Sequence, residues 1–409
     1  MERVVITGIG TVTPLGLDPE SSWKNALAGY SAANYISQFD ASRLSVRIAC
    51  EVKGFDPVKY MDFRTARRID RFSQYAIAAA RQAVVQSGLD IRANAERVGV
   101  VMSTAVGGIR TLEDGAKTLL TVGPRKISPF TIPMLMPNAA AATVAMEFGA
   151  KATAFSVTSA CASGADGIGN AWRVIRSGEA DAMIAGSSDA TLCELGMGAF
   201  ERIGAMTRGE TIEVPKPFDK NRDGLVAGEG SAVLILESLT SARKRGAKIL
   251  AELAGYGSTS DAYHITAPTP DGSGSARAIE LALASAGIRP DQVDYINAHG
   301  TGTQLNDLSE TKAIKRVFGE HAYKIPVSST KSMTGHMMGT TGAVEAVFCT
   351  LVIRDGKIPP TIHYRTPDPE CDLDYVPNTA RIHPVKIAAS NAFGFGGHNA
   401  VLIIREYPA

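Results

Sequence analysis

Short apolar runs that end in glycine or a small polar residue recur along this chain, and most are followed by a longer stretch in which apolar residues return every three or four positions. The first pattern predicts buried strands and the second helices, so the chain reads as an alternation of the two. Val4-Val-Ile-Thr7, Val98-Gly-Val-Val-Met102 and Val293-Asp-Tyr-Ile-Asn297 are strands of this kind, and segments ending at Gly88 and Gly287 are helices. Ala154-Phe-Ser-Val-Thr158 predicts a further short, buried strand. After it Ile168, Ala171, Trp172 and Ile175 fall at helical spacing, which starts a helix at about Cys161.

The same order of elements occurs twice, in residues 1–247 and 248–409. Val4-Val-Ile-Thr-Gly-Ile-Gly10 corresponds to Ala251-Glu-Leu-Ala-Gly-Tyr-Gly257, and a constant shift of 178 places Gly164, Ala165, Ile175, Arg176 and Gly178 on Gly342, Ala343, Ile353, Arg354 and Gly356. Two copies of a strand and helix alternation imply two similar α/β halves, each a mixed sheet covered by helices, packed about a pseudo-twofold axis. The Gly, Ala and Ser-rich helices 161–177 and 339–355 suit a central layer in which helices approach closely. Residues 18–70 and 110–150 read as insertions that cap the sheets or form a subunit interface.

Composition narrows the function. The chain has 409 residues, 45% hydrophobic and 20% charged, with 42 Lys and Arg against 41 Asp and Glu. No global field points to nucleic acid or an anionic membrane, so a charged partner has to meet a local patch. Cysteines 50, 161, 193, 349 and 371 show neither CxxC nor Cys/His metal spacing, which argues against a disulfide frame or a metal site and for a reducing, cytoplasmic setting. No run reaches 18 apolar residues and no leader is expected. Gly8-Ile-Gly10 follows a strand, but Thr11-Val-Thr-Pro14 stands where a phosphate-binding helix should begin, so a dinucleotide site is rejected.

Three small-residue stretches carry the chemistry. Thr158-Ser-Ala-Cys-Ala-Ser-Gly164 sets Cys161 at a helix start, where unpaired N–H groups favour thiolate and can bring a thiol from about 8.5 towards roughly 3.5 to 7.5. The same N–H groups can hold a developing oxyanion. Asn297-Ala-His-Gly-Thr-Gly-Thr303 puts His299 in an open loop after a strand. Lys331-Ser-Met-Thr-Gly-His336 puts His336 just before the second central helix, whose positive end should keep its imidazole neutral and donating an N–H.

Together with Asn391-Ala-Phe-Gly-Phe-Gly-Gly397, these stretches resemble the beta-ketoacyl acyl-carrier-protein synthases, most nearly the elongating synthase II type, over essentially the whole chain. The resemblance implies a five-layer αβαβα thiolase-like fold, a homodimer, and decarboxylative Claisen condensation of an acyl thioester with malonyl carrier protein. It makes Cys161 the acyl acceptor, the N–H groups of Cys161 and Phe395 the oxyanion donors, and His299 and His336 the donors to the malonyl thioester. Lys331 and Glu310 would form a buried ion pair that orients the histidines. Thr301, Thr303 and Phe200 would hold the pantetheine arm, Val106 would set acyl depth, and Phe395 would swing as a gate on Gly394 and Gly396. Arg64, Arg67, Arg68 and Arg71 would dock the acidic carrier protein. Substrates would arrive on the carrier's 4'-phosphopantetheine, with no other cofactor. His398 and Gly302 depart from the usual pattern and bear on the rim of the arm site. A polyketide ketosynthase subunit, a thiolase with a second cysteine, and a non-catalytic chain-length factor are the competing readings.

Overall fold

The computed structural model describes residues 2–209 and 211–408. Ten strands form its main sheet: β1 (Val4–Val12), β2 (Val98–Ser103), β3 (Ala154–Phe155), β4 (Ala182–Asp189), β5 (Gly230–Ser238), β6 (Ala251–Ser260), β7 (Tyr295–Asn297), β8 (Val327–Ser328), β9 (Ile387–Gly394) and β10 (His398–Arg405). The helices that matter for the site are α1 (Phe63–Ala66), α2 (Arg71–Ser87), α3 (Ile109–Thr121), α4 (Ala139–Phe148), α5 (Ser163–Arg176), α6 (Ser273–Ala286), α7 (Gln304–Phe318) and α8 (Thr341–Asp355).

Duplication is written into the strand order. From the centre outwards one side runs β1, β5, β4, β2, β3 and the other β6, β10, β9, β7, β8. The pairing directions match as well: the first two contacts on each side are antiparallel and the last two parallel. The sequence suggests two separate sheets, whereas β1 and β6 pair antiparallel across Val4–Ile6 and Ala251–Leu253 and join them into one. The central strands are covered on both faces, which is why β1 and β5 are buried along their whole length and read as continuous runs rather than alternating ones.

Helix α2 packs on β1 and β5, and α6 on β6 and β10. Glycines set that distance. A Cβ at Gly8 or Gly10 would lie 2.2 or 2.0 Å from carbonyl oxygens of α2, and one at Gly255 or Gly257 would lie 2.4 or 2.2 Å from those of α6. The repeated glycine pair is therefore a helix-packing device. Between the two halves of the sheet α5 and α8 face each other, so that a Cβ at Gly164 would sit 2.5 Å from Gly339 O and one at Gly342 2.8 Å from Ala165 N. The layers run αβαβα.

One strand departs from expectation. Residues 154–158 give only the two-residue β3, which is not buried, because it is the outermost strand of the sheet.

Candidate active site

The two central helices bring their beginnings together, and the nucleophile turn stands on one of them. Ala160 takes a left-handed backbone, φ +51°, and a single 3-10 turn over Ala160–Ala162 leads into α5. The turn is braced from behind: Ser159 N–H donates to Ser163 Oγ (2.9 Å), Ser163 Oγ donates to Ala160 O (2.6 Å), and Asp166 accepts the hydroxyls of Ser159 and Tyr256, each at 2.5 Å. Cys161 is 9% exposed. Its sulfur receives the N–H of Phe395 and its own N–H, so both expected oxyanion donors converge on it. That convergence requires Gly394, since a Cβ there would lie 3.0 Å from Cys161 N.

The resting sulfur is a thiol, which corrects the expectation of a thiolate. Burial pushes Cys161 up to about 11, against the favourable Phe395 N–H, the Lys331 charge and its own N–H, and the Asp189 carboxylate adds to the rise. Desolvation of a sulfur anion outweighs what a helix start supplies.

His299 and His336 face each other across the cavity, with ring centroids 5.5 Å apart and planes at 87°. His336 Nδ1 accepts Met338 N–H (3.0 Å), so its proton sits on Nε2. Both rings are neutral: burial and the Lys331 charge hold His336 down at about 3 and His299 well below the ordinary imidazole range. For His336 the neutral state is the one expected, but burial and Lys331 rather than the helix end are its causes.

The ion pair differs from the one expected. Lys331, fully buried, donates from Nζ to Glu345 Oε1 (2.6 Å), and Glu345 projects from the second turn of α8. Glu310 on α7 instead accepts His299 N–H (2.8 Å), Gly300 N–H (2.7 Å) and Asn391 Nδ2 (3.0 Å). Glu310 therefore fixes the backbone that carries His299, while Glu345 balances Lys331. Burial pushes Glu345 up to about 7 despite that lysine, and raises Glu310 as well.

Cys161, His299, His336, Phe395, Thr301, Thr303, Phe200 and Gly394 all line one cavity of about 320 Å³, together with Phe393 and Met338. Thr301 Oγ1 and Thr303 Oγ1 are hydrogen-bonded to each other at 2.9 Å. Gly396, beside Phe395, has φ +79° and donates its N–H to Ile265 O (2.7 Å). Val106 does not line this cavity; it is half-buried in the loop after β2, where its N–H reaches the Asp189 carboxylate. The four arginines are not one stripe. Asp62 and Asp70 cap α1 and α2 separately, leaving Arg64, Arg67 and Arg68 exposed on and after α1. Arg71 turns inward, donates to Tyr75 OH (2.6 Å) and faces the buried Glu229 at 4.0 Å, so it leaves the proposed patch. Sequence reasoning missed Glu345, Asp189 and Asp166. For Glu345 a signal existed: it is the lone carboxylate in the apolar run Thr341–Ile353.

Comparison with known proteins agrees with this geometry. Residues 1–242 match the model of the beta-ketoacyl synthase N-terminal domain, and residues 250–365 that of the beta-ketoacyl synthase C-terminal domain. The chain is 48% identical over 410 residues to the 3-oxoacyl-[acyl-carrier-protein] synthase 2 of Staphylococcus aureus (strain COL), covering 100% of this chain and 99% of that one. Among solved structures, the ishigamide ketosynthase/chain length factor superposes with a TM-score of 0.94 at 39% identity over 100% of both chains. A type II polyketide acyl-carrier protein in complex with its ketosynthase bound to the hexaketide gives 0.92 at 37% identity, also over 100% of both. Fold, site and relatives agree: the chain belongs to the beta-ketoacyl synthase family.

Proposed function

We propose that this chain elongates fatty acyl groups, condensing an acyl thioester with malonyl-acyl carrier protein to give 3-oxoacyl-acyl carrier protein, carbon dioxide and free carrier. The observation that carries this is the convergence of Cys161, two neutral imidazoles and the Phe395 N–H on one cavity. Cys161 takes the acyl group from its carrier, and the N–H groups of Cys161 and Phe395 hold the oxyanion of that transfer. A thiol with a high resting value loses its proton only as the acyl donor arrives; His299, whose Nδ1 has no hydrogen-bond partner among the described residues, would relay that proton to the leaving carrier thiolate and so be neutral again before malonyl binds. Malonyl thioester then replaces the first carrier. Neutral N–H donors from His299 and His336 take up charge on its carbonyl as carbon dioxide leaves, and the enolate carbon attacks acyl-Cys161. Imidazolium would gain less from that step, since it is already charged before the negative charge develops.

Residues 1–247 and 248–409 are read as the two halves, the first bringing the nucleophile and the second the histidines, Lys331 and the gate loop. Thr301, Thr303 and Phe200 would line the pantetheine arm, with no cofactor beyond the carrier's own, and Phe395 would move as the gate. Exposed Arg64, Arg67 and Arg68 would meet the acidic carrier protein, a local patch on a chain of net charge +1. A homodimer is supported by the open sheet edge at β3 and by exposed Leu119, Leu120, Val122, Ile132 and Met146 on α3, α4 and the segment between them. A cytoplasmic setting is consistent with cysteines that are all free, and among the described residues no helix is long and apolar enough to cross a membrane.

A thiolase route needs a second cysteine at the reacting carbon, and among the described residues Cys161 is the one cysteine of the cavity, which Phe393 and Phe395 also line. The presence of Cys161 argues against a chain-length factor. A polyketide ketosynthase subunit uses the same geometry, and the similar polyketide ketosynthase keeps that reading open. Incubation of the purified protein with malonyl carrier protein and a panel of acyl carrier proteins, with products identified by mass, decides among them. Single 3-oxoacyl products two carbons longer support elongation; poly-3-oxo chains indicate the polyketide reading, and no condensation in any arm removes the proposal.

A further inference from the structure

Strand β4 ends in a carboxylate that none of the roles above uses. Asp189 is fully buried, and its oxygens collect donors from both halves of the molecule. From the loop after β2 come Thr104 Oγ1 (2.6 Å), Ala105 N–H (3.1 Å) and the Val106 N–H. From the turn before α8 comes Thr340 N–H (3.1 Å). The crossing is close-packed: a Cβ at Gly339 would lie 2.7 Å from Ala105 N, 2.9 Å from Ser163 Cβ and 3.0 Å from Asp189 Oδ2. One carboxylate thus ties the loop carrying Val106 to the turn containing Met338, and that turn packs at Gly339 against Ser163 at the start of α5.

That turn sets a proton. Met338 N–H is the donor that fills His336 Nδ1 and leaves the Nε2 proton for the cavity, while Thr340, two residues on, is the residue Asp189 holds. Resting on the condensing reading of the site, we propose that Asp189 is a positioning residue: it fixes the 338–340 turn so that His336 presents its Nε2–H to the cavity. Behind burial, the Asp189 carboxylate also adds to the rise of the Cys161 thiol. Lys331 is the cation that favours sulfur anion, the two imidazoles facing the sulfur are neutral, and Asp189 is the carboxylate that opposes it. A buried carboxylate accepting four donors stays fixed in place, so the opposition is built into the resting site.

Asp189→Asn is the near-isosteric test, because it removes the charge and puts an NH2 among groups that are all donors. Two readouts separate positioning from general structure. Malonyl decarboxylation should fall about tenfold or more in kcat with KM for malonyl carrier protein little changed, because the lost term belongs to the transition state. Should Asp189→Asn fail to fold, Thr104→Val removes the hydroxyl donor alone and loosens the carboxylate, so kcat for malonyl decarboxylation should fall by a smaller step with KM again little changed. A folded variant that decarboxylates malonyl carrier protein with an unchanged kcat overturns the proposal, as does a loss confined to KM. Ring nitrogen shifts of His336, followed by NMR with 15N-histidine, need no carrier substrate: the wild type should show one Nε2–H tautomer and Asp189→Asn a mixture. A wild-type protein that fails to condense would remove the functional reading, while a single tautomer kept in the variant overturns this one.

Discussion

The turn at 160–163 and the turn at 338–341 are the same piece of backbone used twice. Ala160 and Met338 stand at the shift of 178 and have φ of +51° and +50°, and each is followed by one 3-10 turn and then by α5 or α8. Their occupants differ. The first turn carries Cys161 and the second carries Gly339 at the matching position, with its imidazole at His336, three residues upstream. Duplication supplied two helix beginnings on one cavity; only one holds a nucleophile, and the other gave up its side chain so that Ala105, Ser163 and Asp189 could close in. The lesson is that a helix start offers N–H groups wherever it recurs, and neighbouring burial decides what chemistry they support.

The comparison is broken most severely by Cys161→Ala. Condensation should fall by at least about 10³-fold, since no other group of the cavity can carry the acyl chain. Malonyl decarboxylation should stay measurable, because the half-site at His299 and His336 does not use the sulfur. Full elongation by this variant would remove the covalent step. His336→Ala attacks the opposite turn: loss of one oxyanion-type donor should lower decarboxylation by roughly 10²- to 10³-fold. Acyl transfer to Cys161, followed by mass, should be much less affected.

A smaller effect comes from pH. In the resting enzyme, alkylation of Cys161 should rise about tenfold per pH unit without a plateau below pH 9, since the thiol lies at about 11. A plateau near pH 7 would restore the helix-start thiolate. Stability moves in the other direction for the imidazoles. Unfolded His336 takes up a proton near pH 6.5, and the folded ring does so only at about 3, so its contribution is lost progressively as pH falls between those values. Glu345, raised to about 7, binds its proton first in the folded state and partly offsets that loss between about pH 7 and 4.5. Replacing His336 with Gln should therefore flatten the acid side of a denaturation profile.

How much of this was legible follows from what linear order encodes. The shift of 178 and the glycine pairs at 8/10 and 255/257 were readable because close backbone approach demands one residue type. Cys161, His299, His336 and Phe395 were readable because each stands in a small-residue loop. The partner of Lys331 was not, since two buried glutamates on different helices look alike until the fold brings Glu345 to it and Glu310 to the His299 backbone. Arg71 was grouped with the other arginines because a basic stripe ignores caps, although Asp62 and Asp70 mark two separate helix starts. The Cys161 thiol was misjudged because N–H donors are visible in a helix pattern, whereas desolvation is a property of everything packed around it.

The finest comparison is between the two turns themselves, through Gly339→Ala and Ala160→Gly. An added methyl at Gly339 meets a backbone nitrogen at 2.7 Å and the Ser163 side chain at 2.9 Å, neither of which yields without moving the nucleophile turn or the loop at Ala105. Overpacking of this sort destabilises by about 1–3 kcal/mol, read as a lower midpoint in urea. Ala160→Gly works through strain. A left-handed alanine costs roughly 1–2 kcal/mol, and the extra freedom of glycine in the unfolded chain returns about 0.5–1 kcal/mol of that. The variant should therefore be stabilised by no more than about 1.5 kcal/mol. If Gly339→Ala proved as mild as Ala160→Gly, the close crossing at the second turn would not be what keeps that position free of a side chain.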